Sequence, residues 1–567
     1  MLRLLARAPG MRRNTINCIG KKANLSTPSS TSVEQFMMTK MTCTLGPASN
    51  EQAIVQALND NGMSVARLNF SHNPRGNYEY VTNLINLVRN CEGMHRRVLA
   101  RNYNQVAVLL DTKGPEIRTG VVEGYVPGEK NMYVTLEDNA EVRVTTDADY
   151  KEKVSDETIY LDYQQIGSTV KVGDRILLDD GLIGLEVKKV NCDLQNSSGD
   201  SYCDVICNVS NGGELGSVKG VNIPNTTLQL PSMTEKDKED ILWGIKSNEI
   251  DIVAASFVRK AGDVRSVKAY MERCISQARQ DGDIAKDEEI VRPAVVSKIE
   301  NKEGVDNFEE ILAESDGIMV ARGDLGVEIP FAELLILQKK MVRLCNLAGK
   351  PVIVATQMLD SMQRNPRPTR AEVTDVGNAV LDGSDCVMLS GESANGQYPE
   401  LSAKTMKTIV SQADEALDKR WGFSNIGQRR KEMSEAILSN ATSLESICMA
   451  AVNMASQTDS DLIIAISRKG STVKQLAKYK PNVPIMAFVP TPQIGRRLVM
   501  HRGVYPIVME STAADDEHER VVEAMRTAKE IGWLLPNHRV VVVDAELWDL
   551  ESVSKKTKAN CIKIFTV

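Results

Sequence analysis

The sequence has few aromatic residues and no strong excess of one charge. Only 4% of its 567 residues are aromatic, and 68 basic against 75 acidic side chains leave a formal net charge of −7. Nucleic-acid-binding proteins usually present a basic face with aromatic platforms for base stacking, so this composition argues against a nucleic-acid partner. We expect small molecules and further copies of the chain as partners.

Long apolar runs and paired cysteines are also missing. No stretch approaches the roughly 18 continuous apolar residues that a membrane-spanning helix requires, so we predict no membrane span. The 11 cysteines are scattered without a repeated CxxC pair, which favours a reducing compartment. Cys203 and Cys207 lie four residues apart, but no His or second Cys pair is near them, so we predict ordinary packing rather than a zinc site.

Acidic residues are absent from the first 33 positions, which instead carry six basic side chains and a Ser/Thr cluster from Ser26 to Ser32. This composition resembles that of a mitochondrial transit peptide. We therefore predict a mitochondrial location, with residues 1–37 as an N-terminal arm. The alternative is a disordered arm on a protein of the cytoplasm.

The feature that is present throughout is a repeated pattern of a short apolar run, a polar or glycine-rich turn and a helical segment. Continuous apolar runs are typical of parallel strands buried on both faces. Eight units in succession predict an α/β fold with a (β/α)8 barrel of the triosephosphate-isomerase type, rather than an open sheet. The eight runs are Met41 to Thr44, Val65 to Leu68, Val106 to Leu110, Ile252 to Ala255, Ala294 to Val296, Ile318 to Val320, Val352 to Ala355 and Cys386 to Leu389.

Between these runs the spacing predicts helices. One is expected over 50–61, with Ser49 and Gln52 as its capping box and Gly62 at its end. Another is expected over 305–314, where apolar residues recur on one helical face.

Two segments depart from the repeated pattern. Between Arg118 and Asn222, short alternating strands with Gly and Asp turns predict an inserted small β-barrel domain after the third strand. From Gln397 onward, helices followed by a second pattern of strands and helices predict a separate C-terminal α/β domain. Its predicted strands are the apolar runs Leu462 to Ile466, Pro484 to Val489, Tyr505 to Val508, Val540 to Val543 and Ile562 to Val567. The predicted divisions are the arm (1–37), the barrel (38–117 and 223–396), the inserted domain (118–222) and the C-terminal domain (397–567).

Polar residues collect where the predicted strands end. In barrels of this type the reaction occurs at the carboxyl ends of the strands, so these residues form the candidate site. They are Arg67, Asn69, Ser71 and His72 after the second strand, Asp111, Thr112, Lys113 and Arg118 after the third, Lys298 and Glu300 after the fifth, Arg322, Gly323 and Asp324 after the sixth, Thr356 after the seventh and Glu392 after the eighth.

The chemistry of these residues suits a small acid that carries a phosphate. Glu300 and Asp324 follow adjacent strands, and two carboxylates can grip Mg²⁺ while leaving room for substrate oxygens and water. A surface salt bridge is the ordinary alternative, but both residues directly follow apolar strands. Lys298 and Arg67 supply positive charge for a phosphoryl group. The segment 321–324 opens a helix whose backbone N–H groups can bind an anion.

Three segments resemble the pyruvate kinase family. They are Lys298-Ile299-Glu300-Asn301, the run from Met319 to Pro330, and the run from Asp111 to Arg118. The resemblance covers nearly all of residues 38 to 567. It implies an enzyme that transfers the phosphoryl group of phosphoenolpyruvate to ADP, giving pyruvate and ATP in the final step of glycolysis.

The resemblance assigns roles at the centre of the site. Arg67 and Lys298 are implied to bind the transferring group, with Lys298 also stabilising the enolate, and Glu300 and Asp324 are implied to hold magnesium.

The pyruvate part of the substrate is implied to lie against Asp324, the backbone around Gly323 and the hydroxyl of Thr356. Thr356 is implied to take part in the relay that protonates the enolate carbon. An unperturbed hydroxyl is a poor proton donor, so ordered water is the expected acid.

A potassium site is also implied, formed by Asn69, Ser71, Asp111 and the backbone of Thr112. Glu116 supports it, because family members that dispense with potassium tend to carry lysine there.

The nucleotide, ADP or ATP, is implied to contact Asn69, His72, Arg118 and Lys219. Lys219 lies at the far end of the inserted domain, so we predict that this domain is a lid that excludes water from the phosphoryl group.

The sequence departs from the family pattern in three places. Asn73 stands where the family usually has glycine, although asparagine tolerates unusual backbone angles. The loop 467–472 matches the family's loop for a phosphorylated effector only in part, and an ordinary strand-to-helix turn is the alternative. The acidic segment 546–551 predicts weak or absent activation by fructose bisphosphate, because carboxylates repel a bisphosphate.

Two other functions are compatible with parts of the pattern. A metal-dependent aldolase acting on pyruvate also binds magnesium through Glu and Asp, but it has no need of a nucleotide lid. A non-catalytic paralogue acting as a binding subunit is the other alternative, although every catalytic position that can be matched is intact. Family membership would further imply a homotetramer.

Overall fold

The computed structural model describes residues 37–92, 105–126, 132–196, 198–283, 290–417, 442–509, 517–544 and 561–567. The predicted N-terminal arm up to residue 36 and the acidic segment 546–551 lie outside these residues. Within the described ranges, no helix combines the length and the apolar character that crossing a membrane requires.

The described strands are β1 (Lys40–Leu45), β2 (Met63–Asn69), β3 (Ala107–Asp111), β4 (Ile117–Arg118), β5 (Tyr133–Leu136), β6 (Glu141–Thr145), β7 (Thr158–Tyr160), β8 (Arg175–Leu178), β9 (Ile183–Gln195), β10 (Ser201–Asn211), β11 (Gly213–Gly216), β12 (Gly220–Asn222), β13 (Ile252–Ala255), β14 (Ala294–Ile299), β15 (Gly317–Ala321), β16 (Val352–Ala355), β17 (Cys386–Leu389), β18 (Leu462–Ile466), β19 (Ile485–Val489), β20 (Val504–Val508), β21 (Arg539–Asp544) and β22 (Cys561–Thr566).

The described residues also form α-helices and short 3-10 turns. The α-helices are Gln52–Asp60, Glu79–Arg89, Ile166–Thr169, Glu235–Ser247, Ala261–Asp281, Lys302–Asp306, Phe308–Glu314, Arg322–Glu328, Phe331–Ala348, Arg370–Asp382, Gly391–Ala394, Pro399–Leu417, Ser443–Gln457, Ser471–Lys478, Pro492–Arg496 and Glu517–Glu530, and the 3-10 turns are Pro47–Ser49, Phe70–His72, Ala148–Tyr150 and Asp360–Gln363.

The eight predicted apolar runs form a closed parallel barrel. Its strands follow one another in the order β1, β17, β16, β15, β14, β13, β3 and β2. Every residue of β1, β3 and β13 to β17 is buried. Strands covered on both faces need apolar residues at every position, which is why continuous runs predicted them.

The interior of the barrel is filled by side chains from its strands and from the C-terminal region. Val65, Leu109 and Met319 are buried there, and Val499 and Met500 belong to the same cluster. The C-terminal region therefore contributes apolar side chains to the core of the barrel.

The inserted segment has its own core and its own sheet. Seven strands follow in the order β4, β12, β8, β9, β10, β6 and β7. The two edges of this sheet meet, because Thr119 forms a bridge with Leu161 and the Gly120 N–H donates to the Tyr160 carbonyl at 3.0 Å. The sheet thus curls on itself as the predicted small β-barrel.

The C-terminal region contains a five-stranded sheet in the order β20, β19, β18, β21 and β22. The pairs among the first four strands are parallel, and β22 runs antiparallel to β21. The five apolar runs predicted after residue 461 form these strands.

Two helix predictions were wrong in detail. The first helix runs from Gln52 to Asp60, and Ser49 does not cap it: the Ser49 hydroxyl instead accepts from the Gly46 N–H at 3.0 Å within the preceding turn. The helix predicted over 305–314 is divided into two at Asn307, whose side chain donates to the Arg259 carbonyl at 2.9 Å. In both cases a side chain satisfies a nearby backbone group outside a regular helix.

The prediction of ordinary packing for Cys203 was also wrong. Cys203 forms a disulfide with Cys192 across the hairpin of β9 and β10. The register brings them together, since Tyr202 pairs with Leu194 on one side of the bond. The bond is tightly covered, because a Cβ atom at Gly167 would lie 1.9 Å from Cys192 Sγ.

Candidate active site

Arg67 and Asp111 form a buried ion pair at the carboxyl ends of β2 and β3. Arg67 Nε donates to Asp111 Oδ2 at 2.6 Å, and Arg67 Nη1 donates to Thr44 Oγ1 at 3.0 Å. Asn69 lies opposite Asp111 in the parallel register of the two strands. The guanidinium group is therefore held in one place by a carboxylate and a hydroxyl.

Lys298 occupies the centre of the candidate site. Its ammonium group lies 3.1 Å from Asp111 Oδ1 and 2.8 Å from Glu300 Oε1, and it donates to Ser256 Oγ at 2.9 Å. Only 9% of Lys298 is exposed. Three acceptors at the carboxyl ends of β3, β13 and β14 thus fix the position of a single positive charge.

The charges of Lys298 and Asp111 support each other. Burial alone would lower the pKa of Lys298, but Asp111 and Glu300 outweigh it and raise the pKa above that of an ordinary lysine. Burial alone would raise the pKa of Asp111, yet Lys298 and Arg67 hold it below its ordinary value. Both groups remain ionised at neutral pH.

Glu300 and Asp324 form the predicted pair of carboxylates. Burial raises the pKa of Glu300 to about 7, with Asp324 adding to the rise and Lys298 opposing it. Burial also raises the pKa of Asp324, which lies within hydrogen-bonding reach of Glu300. The Phe257 N–H donates to Glu300 Oε2 at 2.6 Å. Two carboxylates this close, one buried and one half-buried, favour a shared proton or a bound cation.

Gly323 and Thr356 come into close contact beside this pair. A Cβ atom at Gly323 would lie 2.7 Å from Thr356 Cγ2, so only glycine fits without displacing the threonine. Thr356 has φ 74° and Gln357 has φ 55°. A β-branched residue is rare in this left-handed region, and such strained backbone is concentrated at functional sites.

Two of the candidate residues fix backbone instead of facing the site. Arg322 donates to the Thr356 carbonyl at 2.8 Å and to Asp375 Oδ1 at 2.7 Å, which holds the strained turn after β16. Glu392 accepts from the Leu359 N–H at 3.0 Å and from the Ser390 N–H at 2.7 Å. Their polar groups are used in supporting the loops of the site.

The oxygens of the predicted potassium site lie at the ends of β2 and β3. Asn69 Oδ1 accepts from the Ser71 N–H at 3.1 Å, which places both residues on one turn. Asp111 and Thr112 are buried at the end of β3. The donors are carboxylate, amide, hydroxyl and carbonyl oxygens, the ligand types that suit a hard cation.

The predicted nucleotide residues divide between the barrel and the inserted domain. Arg118 and Lys219 lie on the paired strands β4 and β12 or directly beside them. Arg118 Nε donates to Glu116 Oε2 at 2.8 Å, and Lys219 Nζ donates to Asp179 Oδ1 at 2.9 Å. His72 is exposed on the barrel at the end of the turn Phe70–His72.

Sequence reasoning missed the contribution of the fourth barrel strand. Ser256 and Phe257 directly follow β13, and they contact Lys298 and Glu300 respectively. Phe257 has φ 53°, so its backbone is also left-handed. The position of Ser256 directly after a strand was a usable signal, because the other candidate residues had been identified as polar residues that follow the predicted strands.

Asn73 does not require the freedom of glycine. Its φ of −82° and ψ of 124° place it in ordinary extended backbone. The substitution of asparagine for the family's usual glycine therefore introduces no strain in the turn that carries Asn69, Ser71 and His72.

Two family models match the chain. The model described as "Pyruvate kinase, barrel domain" matches residues 36–403, and the one described as "Pyruvate kinase, alpha/beta domain" matches residues 445–565. Together they cover well over half of the sequence.

Individual proteins agree with this result. The chain is 42% identical over 525 residues to the protein named "Pyruvate kinase, cytosolic isozyme" of Glycine max, covering 89% of this chain and 93% of that protein. It is 39% identical over 521 residues to the pyruvate kinase of Hypocrea jecorina, covering 90% of this chain and 88% of that protein. The crystal structure of a pyruvate kinase from Cryptosporidium parvum matches with a TM-score of 0.80 and 35% identity, covering 97% of this chain and 100% of that one. The chain belongs to the pyruvate kinase family.

Proposed function

We propose that the site transfers the phosphoryl group of phosphoenolpyruvate to ADP, giving pyruvate and ATP in the final step of glycolysis. The observation that carries the proposal is the convergence of Arg67 and Lys298 on Asp111, next to the carboxylates of Glu300 and Asp324. Phosphoryl transfer needs charge fixed around the moving group more than it needs covalent chemistry, and this arrangement provides it.

Lys298 and Arg67 bind the phosphoryl group in this proposal. Their carboxylate partners hold both side chains in place, so little reorganisation is needed as negative charge moves. When the bond to phosphorus breaks, Lys298 stabilises the enolate oxygen that is left behind.

The carboxylate of the substrate lies against the start of the helix Arg322–Glu328. Backbone N–H groups around Gly323 point toward it, and the Thr356 hydroxyl donates a second hydrogen bond. Because an ordinary hydroxyl is a weak acid, Thr356 orients the water that protonates the enolate carbon.

Magnesium fits the pair Glu300 and Asp324. Glu300 is buried and Asp324 half-buried beside it, both have raised pKa values, and a divalent cation would satisfy the two charges together. Among the described residues, no cluster of three or more His, Cys, Asp or Glu side chains suits a metal, so substrate and water would complete the shell. When bound, the ion would neutralise phosphoryl and enolate oxygens.

Potassium fits the oxygens of Asn69, Ser71, Asp111 and Thr112. These residues end two neighbouring strands and place a cation beside Arg67, where it would bring a further positive charge to the phosphoryl group. Position 116 carries a glutamate, which accepts from Arg118, so it offers no lysine ammonium group that could replace the ion.

The inserted domain is proposed to close over ADP through Arg118 and Lys219. Asn222 Nδ2 donates to Glu328 Oε1 at 2.7 Å, which connects the end of the insert to the helix that carries Asp324. Closure of the insert would exclude water from the phosphoryl group.

The test is pyruvate formation from phosphoenolpyruvate and ADP with magnesium, in potassium or tetramethylammonium chloride. Lys298→Met should lower kcat by roughly 10²- to 10³-fold, because a preorganised charge is lost. Lys302→Met is the matched control: it removes an exposed lysine four residues further on, which pairs only with Asp306 in the described structure. Its activity should match that of the unmodified enzyme.

The rival functions predict different results. A folded protein that binds magnesium without turnover would support the non-catalytic paralogue. Condensation of pyruvate with an aldehyde, without use of ADP, would support the aldolase.

We also propose that the chain forms a homotetramer. The helix Phe331–Ala348 presents an apolar face to solvent, with Phe331 86%, Ile336 64% and Leu335 51% exposed. Apolar patches of this kind are typical of protein interfaces. Sedimentation should give the tetramer mass, and Phe331→Glu with Ile336→Glu should lower it; a monomeric unmodified protein would contradict the proposal.

Two further assignments complete the proposal. The loop 467–472 is proposed to bind a phosphorylated effector, and Gly470, with φ 81°, leads into the helix Ser471–Lys478 as such a loop requires.

The N-terminal arm is proposed to direct the protein to mitochondria. Fractionation of cells expressing the chain with and without residues 1–37 tests the second assignment, and a cytoplasmic location for both forms would refute it.

A further inference from the structure

Ser256 lies at the point where two strand ends and the catalytic lysine meet. It is 4% exposed and directly follows β13. Its hydroxyl oxygen lies 2.9 Å from Lys298 Nζ, 2.7 Å from the Thr112 carbonyl oxygen and 3.2 Å from Asp111 Oδ1. One small side chain therefore contacts all three residues.

The direction of each hydrogen bond follows from the groups involved. An ammonium group can only donate, so Ser256 Oγ accepts from Lys298. The single hydrogen of the hydroxyl is then left for the carbonyl of Thr112, the nearer of its two acceptors. The hydroxyl thus links the Thr112 carbonyl, directly after β3, to the Lys298 ammonium on β14 by two hydrogen bonds.

The backbone on both sides holds Ser256 in this position. The Ser256 N–H donates to Thr112 Oγ1 at 3.1 Å, and the Thr112 N–H donates to the Ala254 carbonyl at 3.1 Å. A Cβ atom at Gly114 would lie 2.7 Å from Ser256 Cβ, so the loop after β3 packs directly on the serine. The ends of β3 and β13 are therefore linked in both directions.

We propose that Ser256 is a positioning residue that couples the Thr112 carbonyl, assigned above to the potassium site, to the Lys298 ammonium that binds the phosphoryl group. The inference rests on the proposed function of both residues. Without the hydroxyl, Lys298 keeps its two carboxylates but loses the acceptor that holds it toward β13, and Thr112 loses the donor that orients its carbonyl.

The first experiment compares the kinetics of Ser256→Ala with those of a matched control. Loss of one hydrogen bond to a charged group should lower kcat about tenfold, with a smaller change in the KM for phosphoenolpyruvate. Ser315→Ala is the control, because Ser315 is buried, donates to the Ile311 carbonyl at 2.7 Å and lies 2.6 Å from the Ser297 hydroxyl. It precedes β15 at the opposite end of the barrel, so kcat should be unchanged.

The second experiment does not depend on turnover. The rise in melting temperature caused by potassium chloride, relative to tetramethylammonium chloride at equal ionic strength, is measured without substrate. Ser256→Ala should show a smaller potassium-specific rise than the unmodified protein or Ser315→Ala. Ser256→Cys, which is close to serine in size but bonds weakly, should behave like alanine.

The outcomes separate this inference from the proposed function. If the unmodified enzyme turns over and Ser256→Ala matches Ser315→Ala in kcat and in the potassium-specific rise, Ser256 is only structural and the inference is overturned. The same holds if Ser256→Ala is merely less stable with normal kcat. If the unmodified protein forms no pyruvate, the proposed function fails first and the inference fails with it.

Discussion

Single residues at the barrel rim combine charge with constrained backbone. Lys298 is surrounded by acceptors, and the turn that follows β16 contains two successive residues with left-handed φ angles, Thr356 and Gln357. Arg322 binds the Thr356 carbonyl and so stabilises a conformation that threonine rarely adopts. The position of the Thr356 hydroxyl therefore depends on two neighbours: Arg322, which binds the Thr356 carbonyl, and Gly323, which packs against the Thr356 methyl group.

Replacing Gly323 by alanine tests this dependence. The added Cβ would lie 2.7 Å from Thr356 Cγ2, so the threonine must move. We expect kcat/KM for phosphoenolpyruvate to fall by about 10²-fold, the effect of misplacing a substrate-binding group by about 1 Å. Steady-state kinetics provide the measurement.

Gly326→Ala is the control for this substitution. It lies in the same helix, but its added Cβ would meet Leu334 at an ordinary 3.7 Å. Alanine also favours the helix by roughly 1 kcal/mol, so activity should be retained and stability slightly increased. Equal kinetics for the two variants would contradict the proposed role of Gly323.

Whole strands were predictable because their chemistry is local. A strand such as β16, Val352–Ala355, is buried at each position, so each of its four residues must be apolar, and the sequence of the strand alone shows this. The cap of the first helix was not predictable in the same way, because Ser49 had a competing partner in the Gly46 N–H. Capping depends on which of two nearby backbone groups the side chain reaches.

The candidate site was predictable where strand ends carry charge and less so elsewhere. Lys298 and Glu300 were identified because they are charged residues that follow an apolar run. Ser256 is a small neutral residue in the run Ala-Ala-Ser-Phe-Val and gives no such signal. Its importance comes from contacts with residues more than 40 positions away in sequence. The roles of Arg322 and Glu392 depend on the same kind of distant contact.

The hairpin of β9 and β10 depends on a covalent link that the sequence alone did not indicate. Cys192 and Cys203 are separated by 11 positions, and closing a loop of that size stabilises a fold by about 3 kcal/mol. We expect Cys192→Ser with Cys203→Ser to increase hydrogen exchange in the hairpin, measured by mass spectrometry. The barrel strands should be unaffected.

Thiol counting gives an independent check on this bond. Among the described residues, Cys192 and Cys203 are joined and eight further cysteines are free. In the denatured protein, a thiol-alkylating reagent followed by peptide mass spectrometry should label those eight before reduction, and should label Cys192 and Cys203 only after reduction. Labelling of Cys192 and Cys203 in the unreduced protein would mean that the bond does not form.

The molecule as a whole is held together where the C-terminal region meets the amino ends of the barrel strands. Val499 and Met500 join the interior of the barrel. Nearby, Arg496 Nε donates to Asp251 Oδ1 at 2.8 Å, and the Arg502 N–H donates to Asp385 Oδ1 at 3.1 Å. Asp251 and Asp385 each directly precede a barrel strand. At this junction, buried ionic contacts and the apolar side chains of Val499 and Met500 therefore connect the C-terminal region to the barrel.

His501 makes this junction sensitive to acid. It is buried, and burial lowers its pKa from 6.5 to about 4, with Lys474 adding to the effect and Asp385 opposing it. Above pH 6.5 the imidazole is neutral in the folded and unfolded states. Between pH 6.5 and 4 only the unfolded state takes up the proton, so stability falls as the pH falls, by about 3 kcal/mol at the end of the window.

His501→Gln should remove this part of the acid sensitivity, because glutamine stays neutral in both states while keeping a donor for the Leu498 carbonyl. The measurement is the urea midpoint of unfolding at pH 7 and pH 4.5. The decrease between the two pH values should be smaller for His501→Gln than for the unmodified protein. His518→Gln, which changes an exposed histidine, should show the full decrease. If all three proteins lose the same stability, His501 is not the source of the acid sensitivity, and the prediction is wrong.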